Sequence, residues 1–128
     1  MSAPNVLAGL RVLIVEDEAM LTIFLEDVLT DAGCEVIATA SRLEEAMEKA
    51  ASLSFDVAML DVNLNGKQSL PVADKLASRG IPFVFATGYG SKLPSTAPEA
   101  PVLRKPFELD ELQHALGKAV ERSKPRRD

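Results

Sequence analysis

Five polar residues stand at or just past the end of a short, largely apolar run. Glu16 and Asp17 follow Val12-Leu13-Ile14-Val15, Asp61 follows Val57-Ala58-Met59-Leu60, Thr87 follows Val84-Phe85-Ala86, and Lys105 follows Val102-Leu103-Arg104. Taken singly, each has a plainer reading: an acidic helix start, a turn cap, a turn hydroxyl and a solvated lysine. Gathered at one rim, they make a specific set. Carboxylates sharing a crevice repel, and one would be driven toward protonation. A hard divalent cation relieves that, and Mg²⁺ takes one or two carboxylates together with carbonyl oxygens, substrate oxygens and waters. Glu16 and Asp17 suit its outer ligands, Asp61 a direct ligand, and the Asn63 carbonyl a fourth. A cation with open positions can clamp a phosphoryl group. Lys105 adds a positive charge and Thr87 a hydroxyl, so Asp61 is placed to act as a nucleophile and form an aspartyl phosphate.

The elements between these residues must deliver them to one edge. Arg11–Val15, Glu35–Ala40, Val57–Asp61, Ile81–Ala86 and Val102–Arg104 read as strands. The unalternating run before Asp61 marks a strand covered on both faces. Helical spacing follows the first strand, with Met20, Ile23, Phe24, Val28 and Ala32 as its apolar side, Leu21, Leu25 and Leu29 widening it, and Gly33 closing it. Ser41 suits the N-cap of a helix over Arg42–Ala51, and Pro71 a first turn within Leu70–Ser78. The last helix begins near Phe107 or Glu108 and carries Leu109, Leu112, Leu116, Ala119 and Val120. Asn63, Asn65 and Gly66 read as a turn after Asp61. Strand and helix thus alternate about five times, which implies a parallel sheet with helices on both faces. The exception is the segment from Tyr89 to Pro101, where Pro94, Pro98 and Pro101 leave no room for a helix of ordinary length.

Composition bounds the rest. The chain has 128 residues with 47% hydrophobic content, enough for one domain with a real core. We assign that core to about residues 9–122, with 1–8 and 123–128 as tails. The net charge of −5 argues against a nucleic-acid footprint. The short basic tail Lys124-Pro125-Arg126-Arg127 reads as a solvated terminus. No stretch is long enough to span a bilayer, the first ten residues do not form a signal peptide, and a single cysteine, Cys34, excludes an internal disulfide. A cytoplasmic location is expected.

Glu16-Asp17, Asp61, Thr87 and Lys105-Pro106 on an alternating α/β chain resemble a response regulator receiver domain over about residues 9–122. The resemblance implies a flavodoxin-like, doubly wound, five-stranded parallel sheet in the order 2-1-3-4-5. It implies Asp61 as phosphoacceptor, Mg²⁺ held by Glu16 and Asp17, phosphoryl contacts from Thr87 and Lys105, and a cis Lys105-Pro106 bond. The implied partners are a histidine kinase and a downstream protein or phosphotransfer partner. No output segment is expected after Arg122, so the expected output runs through partners, or the protein serves as a phosphate sink.

Two positions and one five-residue motif depart from the family pattern. Val102 stands where receivers usually carry an aromatic, and Asn65 stands where a proline is usual. Phe85-Ala86-Thr87-Gly88-Tyr89 resembles a subgroup named for its Phe-Ala-Thr-Gly motif and served by HWE-type kinases, in which the fourth helix is shortened or replaced by a loop. Here that loop, residues 88–101, is expected to order when Asp61 is phosphorylated, with Tyr89 taking part of the missing aromatic's role. Backbone relaxation with and without beryllofluoride checks this, and equal mobility in both states refutes it. His114, on the last helix, is read as a surface histidine. Catalysis beyond self-phosphorylation and slow dephosphorylation is not expected. Two rivals remain at this point: a small Mg²⁺-dependent phosphatase using Asp61, which lacks the usual second aspartate because Asn63 stands there, and a pseudo-receiver that only docks partners.

Overall fold

The computed structural model describes residues 7–88 and 93–123, with side chains to residue 121. Tyr89 and the basic tail, both singled out above, lie outside the described residues. The elements in order are β1 (Arg11–Val15), α1 (Ala19–Asp31), β2 (Glu35–Ala40), α2 (Leu43–Ser52), β3 (Val57–Asp61), β4 (Asn63–Leu64), β5 (Lys67–Gln68), α3 (Leu70–Ser78), β6 (Phe83–Thr87), β7 (Val102–Arg104) and α4 (Leu109–Ser123). Five strands form a parallel sheet in the order β2-β1-β3-β6-β7. Once the small β4–β5 hairpin is set aside, this is the expected order.

Period-two alternation along the strands divides the interior into two layers. Leu13, Val15, Ala58, Leu60, Phe83 and Phe85 face one way and pack with Ala46 and Ala50 of α2 and Val72, Ala73 and Leu76 of α3. Val12, Ile14, Val57, Met59, Val84 and Leu103 face the other way and pack with Leu25 and Leu29 of α1 and Leu112, Ala115, Leu116 and Ala119 of α4. Every residue of β3 and β6 is buried, because helices cover both faces of the central strands. Between β6 and β7 no helix occurs among the described residues. Instead Leu93, Ala97 and Ala100 of the proline-rich segment pack against the first layer. The Lys105–Pro106 peptide is cis, as expected.

Four local expectations need correction. On α1 the buried side is Leu25 and Leu29, flanked by Leu21, Val28 and Ala32, whereas Met20, Ile23 and Phe24 are 80%, 55% and 47% exposed. Apolar residues run almost all round this helix, so periodicity alone could not say which side meets the sheet. Ser41 is not the N-cap of α2. The helix begins a residue later with Arg42 at the cap, and the Ser41 N–H donates to Glu45 Oε1 (3.0 Å). On α4, Leu109 is exposed and Ala115 takes its place in the core. Leu7, assigned to the tail, is buried in the second layer, and its carbonyl accepts from the Cys34 thiol (3.4 Å).

The α1 assignment is directly testable. Leu25→Ala should cost about 2–5 kcal/mol in urea denaturation, and Met20→Ala less than about 0.5 kcal/mol. The reverse ranking would contradict the orientation described here.

Candidate functional site

The parallel sheet brings the C-terminal ends of its strands to one edge, and each polar residue picked out in sequence lies there. The register pairs Asp61 with Ala86 and Thr87 with Arg104, so Asp61, Thr87 and Lys105 occupy neighbouring positions along the rim. The Lys105 N–H donates to the Thr87 carbonyl (2.8 Å), which fixes where the lysine leaves β7. Its ammonium turns inward and lies 2.8 Å from Glu16 Oε1, 3.1 Å from Asp61 Oδ2 and 3.4 Å from Glu18 Oε1. Glu16, Asp61 and Thr87 are buried polar residues. Glu18, the residue after the Glu16-Asp17 pair, is thus a third partner of Lys105.

The remaining acceptors are used as well. Glu16 Oε2 accepts the Glu18 N–H (3.0 Å) and Asp61 Oδ1 accepts the Asn63 N–H (3.2 Å). Asp17 Oδ2 accepts the Asn65 N–H (2.8 Å). Carboxylate oxygens of Glu16, Asp17 and Glu18 all lie within 4.8 Å of one another. These are hard oxygen donors, of the kind that Mg²⁺ takes. The hairpin also bears on the Asn63 carbonyl. Leu64 pairs with Lys67 beside the turn, and the Ser69 N–H donates to the Val62 carbonyl (2.9 Å). Antiparallel pairs alternate, so the Asn63–Gln68 pair between them is of the non-bonded kind and leaves the Asn63 carbonyl outside the ladder.

Electrostatics follow from this crowding. Burial drives Glu16 up from 4.5 to about 7, against the pull of Lys105, and the Asp61 charge adds to the rise. Burial also raises Asp61, opposed by the Lys105 charge. For Asp17, the cost of burial is outweighed by the Asn65 N–H and by hydrogen bonding with Glu16 and Asp61, and its pKa falls. Lys105 loses by burial but gains more from Glu16 and Asp61, so it is held charged.

Sequence reasoning missed two contributors, Glu18 and the Asn65 amide. The Asn65-Gly66 dipeptide is a hairpin signal, but with only two residues per strand it reads equally well as a simple turn. His114 is exposed, as expected.

Acids and a lysine converging on the C-terminal rim of a doubly wound parallel sheet define a receiver domain. The chain belongs to that family, since residues 12–117 match the response regulator receiver domain. It is therefore the receiver domain of a response regulator in two-component signalling. Among curated proteins, the transcriptional regulatory protein PdtaR of Mycobacterium tuberculosis is 32% identical over 117 residues, covering 88% of this chain and 57% of that protein. The two-component response regulator PhoP of Pseudomonas aeruginosa is 31% identical over 120 residues, covering 89% and 53% respectively. The chain thus spans little more than half the length of these relatives. Among solved structures, SdrG from Sphingomonas melonis Fr1 is 39% identical with a TM-score of 0.79, covering 94% of this chain and 99% of that one. The receiver domain of PhyR from Erythrobacter litoralis is 27% identical with a TM-score of 0.77, covering 89% and 92%. Among the described residues, no helix is long and apolar enough to cross a membrane.

The raised Glu16 has a consequence for stability. Between pH 4.5 and about 7 the folded protein keeps a proton that an unfolded glutamate has lost. The folded state therefore binds more protons, and stability falls as pH rises through that window. In metal-free buffer the urea midpoint should drop across this range, and Glu16→Gln should flatten the drop. An unchanged slope in the variant would contradict the assignment.

Proposed function

We propose that Asp61 accepts a phosphoryl group from a histidine kinase in the presence of Mg²⁺, and that the modified protein signals through an altered partner surface or serves as a phosphate sink. The observation that carries this reading is the Lys105 ammonium, 3.1 Å from Asp61 Oδ2 at the end of the central strand. In the reaction an Asp61 carboxylate oxygen attacks phosphorus, the bond from phosphorus to the donor nitrogen breaks, and the donor imidazole leaves with the electron pair. Lys105 offsets the charge on the phosphoryl oxygens, and the Thr87 hydroxyl and nearby N–H groups hold those oxygens in line. Glu16, Asp17, Asp61 and the Asn63 carbonyl would hold the cation, which when bound supplies further charge neutralisation at the phosphoryl group. The Asn63 side chain cannot shuttle a proton, and its Oδ1 is occupied by the Gly66 N–H (2.9 Å), which argues against turnover of external phosphoesters.

A docking surface adjoins the site. Met20, Leu21 and Phe24 of α1 and Pro106 and Phe107 beyond β7 line a groove of about 600 Å³ that reaches Glu18, Gly88 and Lys105. Exposed apolar residues beside a reactive centre suit a partner helix, and a kinase delivering phosphohistidine to Asp61 would have to seat itself there. The Phe85-Ala86-Thr87-Gly88 motif favours a kinase of the HWE type.

Incubation with acetyl phosphate and Mg²⁺ should add the mass of one phosphoryl group, lost in Asp61→Asn. Phe24→Asp should depress transfer from a kinase, relative to labelling by acetyl phosphate, by about tenfold or more. No adduct from either donor would favour the docking-only reading, and rapid phosphoester turnover would favour the phosphatase.

A further inference from the structure

Between Asp61 and α3 the chain builds the β4–β5 hairpin. It turns at Asn65 and Gly66, which both have positive φ, 52° and 88°. Two successive residues in the left-handed region make a type I′ turn, the form whose twist matches the flanking strands. The N–H groups of this short segment go to the acidic crevice from two directions. At the base, the Asn63 N–H donates to Asp61 Oδ1 (3.2 Å). At the tip, the Asn65 N–H donates to Asp17 Oδ2 (2.8 Å), across 48 residues of sequence. An N–H bonded to a carboxylate at that distance is charge-assisted and stronger than a neutral pair. Leu64, between the two donors, is only 1% exposed and packs in the layer under α2 and α3. The hairpin therefore cannot slide along the rim without unseating a buried leucine.

We propose that the Asn65-Gly66 turn is a positioning element of the phosphorylation site, holding Asp17 at a set distance from Asp61 so that both carboxylates serve one divalent cation. The proposal rests on the reading of the site given above. The two aspartates come from the ends of different strands, and Asp17 stands beyond the last residue of β1. No ladder bond of the main sheet orients its side chain. The hairpin supplies that constraint from a third part of the chain. It acts through backbone N–H groups and a left-handed conformation, so the identity of residue 65 matters only through what its backbone can do. Partners that orient a ligand from outside typically change metal affinity about 10–100-fold when removed.

Calorimetric titration of the purified protein with Mg²⁺ tests this. Asn65→Pro removes the N–H and forbids a positive φ, and it should raise Kd about tenfold or more. Asn65→Gly keeps both features and should retain wild-type affinity. In the ¹H–¹⁵N spectrum the Asn65 amide proton should lie downfield in the wild type and move upfield in Asp17→Asn. If Asn65→Pro does not fold, Gly66→Ala carries the same test. Its added methyl meets no atom within 4 Å and strains only φ, and a severalfold rise in Kd is expected. A folded Asn65→Pro or Gly66→Ala protein that binds Mg²⁺ as well as the wild type would overturn the positioning role alone. A wild type that binds no Mg²⁺ would overturn this role and the reading of the site together.

Discussion

The structure depends on one half-buried cation among acids. Lys105 reaches over the sheet edge to within 2.8 Å of Glu16 and 3.1 Å of Asp61. Without its charge, two buried carboxylates would face each other in a site of low polarity, and breaking such a pair is costly even where forming it gains little. The arrangement makes sense as a receptacle. Negative groups are held close at the end of the central strand, balanced by one lysine and by backbone N–H groups, and the balance shifts when a cation and a phosphoryl group arrive. The rest of the fold serves this convergence. The parallel sheet is what carries residues 16, 61, 87 and 105 to a common rim.

Much of that was legible in the sequence, for a physical reason. Short unalternating apolar runs bounded by turn residues read as strands covered on both faces, and a parallel sheet puts every strand end that matters on the same side. Asp61, Lys105 and the Glu16-Asp17 pair therefore declared themselves by position. That no helix occurs between β6 and β7 among the described residues followed just as directly, from the prolines at 94, 98 and 101. What sequence could not resolve was choice among equals. In α1 apolar residues surround the axis, and only the packed structure shows that Met20, Ile23 and Phe24 are left in solvent. That error proved informative, because two of the misassigned residues, Met20 and Phe24, line the groove beside the site.

The hairpin illustrates a second limit. Asn65-Gly66 signals a tight reversal, but nothing local says that its N–H meets an aspartate far back in the chain. Such contacts arise from tertiary placement, and they give ordinary backbone groups a part in the chemistry. Asn63 shows the same principle. Its side-chain amide, its N–H and its place in the ladder each have a separate partner or consequence, and only the register distinguishes them.

The central claim, that Lys105 is held in place by the charges of Glu16 and Asp61, is tested most directly by a double-mutant cycle in metal-free buffer. Lys105→Met and Asp61→Asn would be measured singly and together by urea denaturation, and the cycle repeated with Glu16→Gln. The account predicts that Lys105→Met is far less costly once a carboxylate is neutralised, with a coupling energy of about 1 kcal/mol or more. Effects that add to within about 0.5 kcal/mol in both cycles would show that the lysine and the acids do not sense one another, and would contradict it.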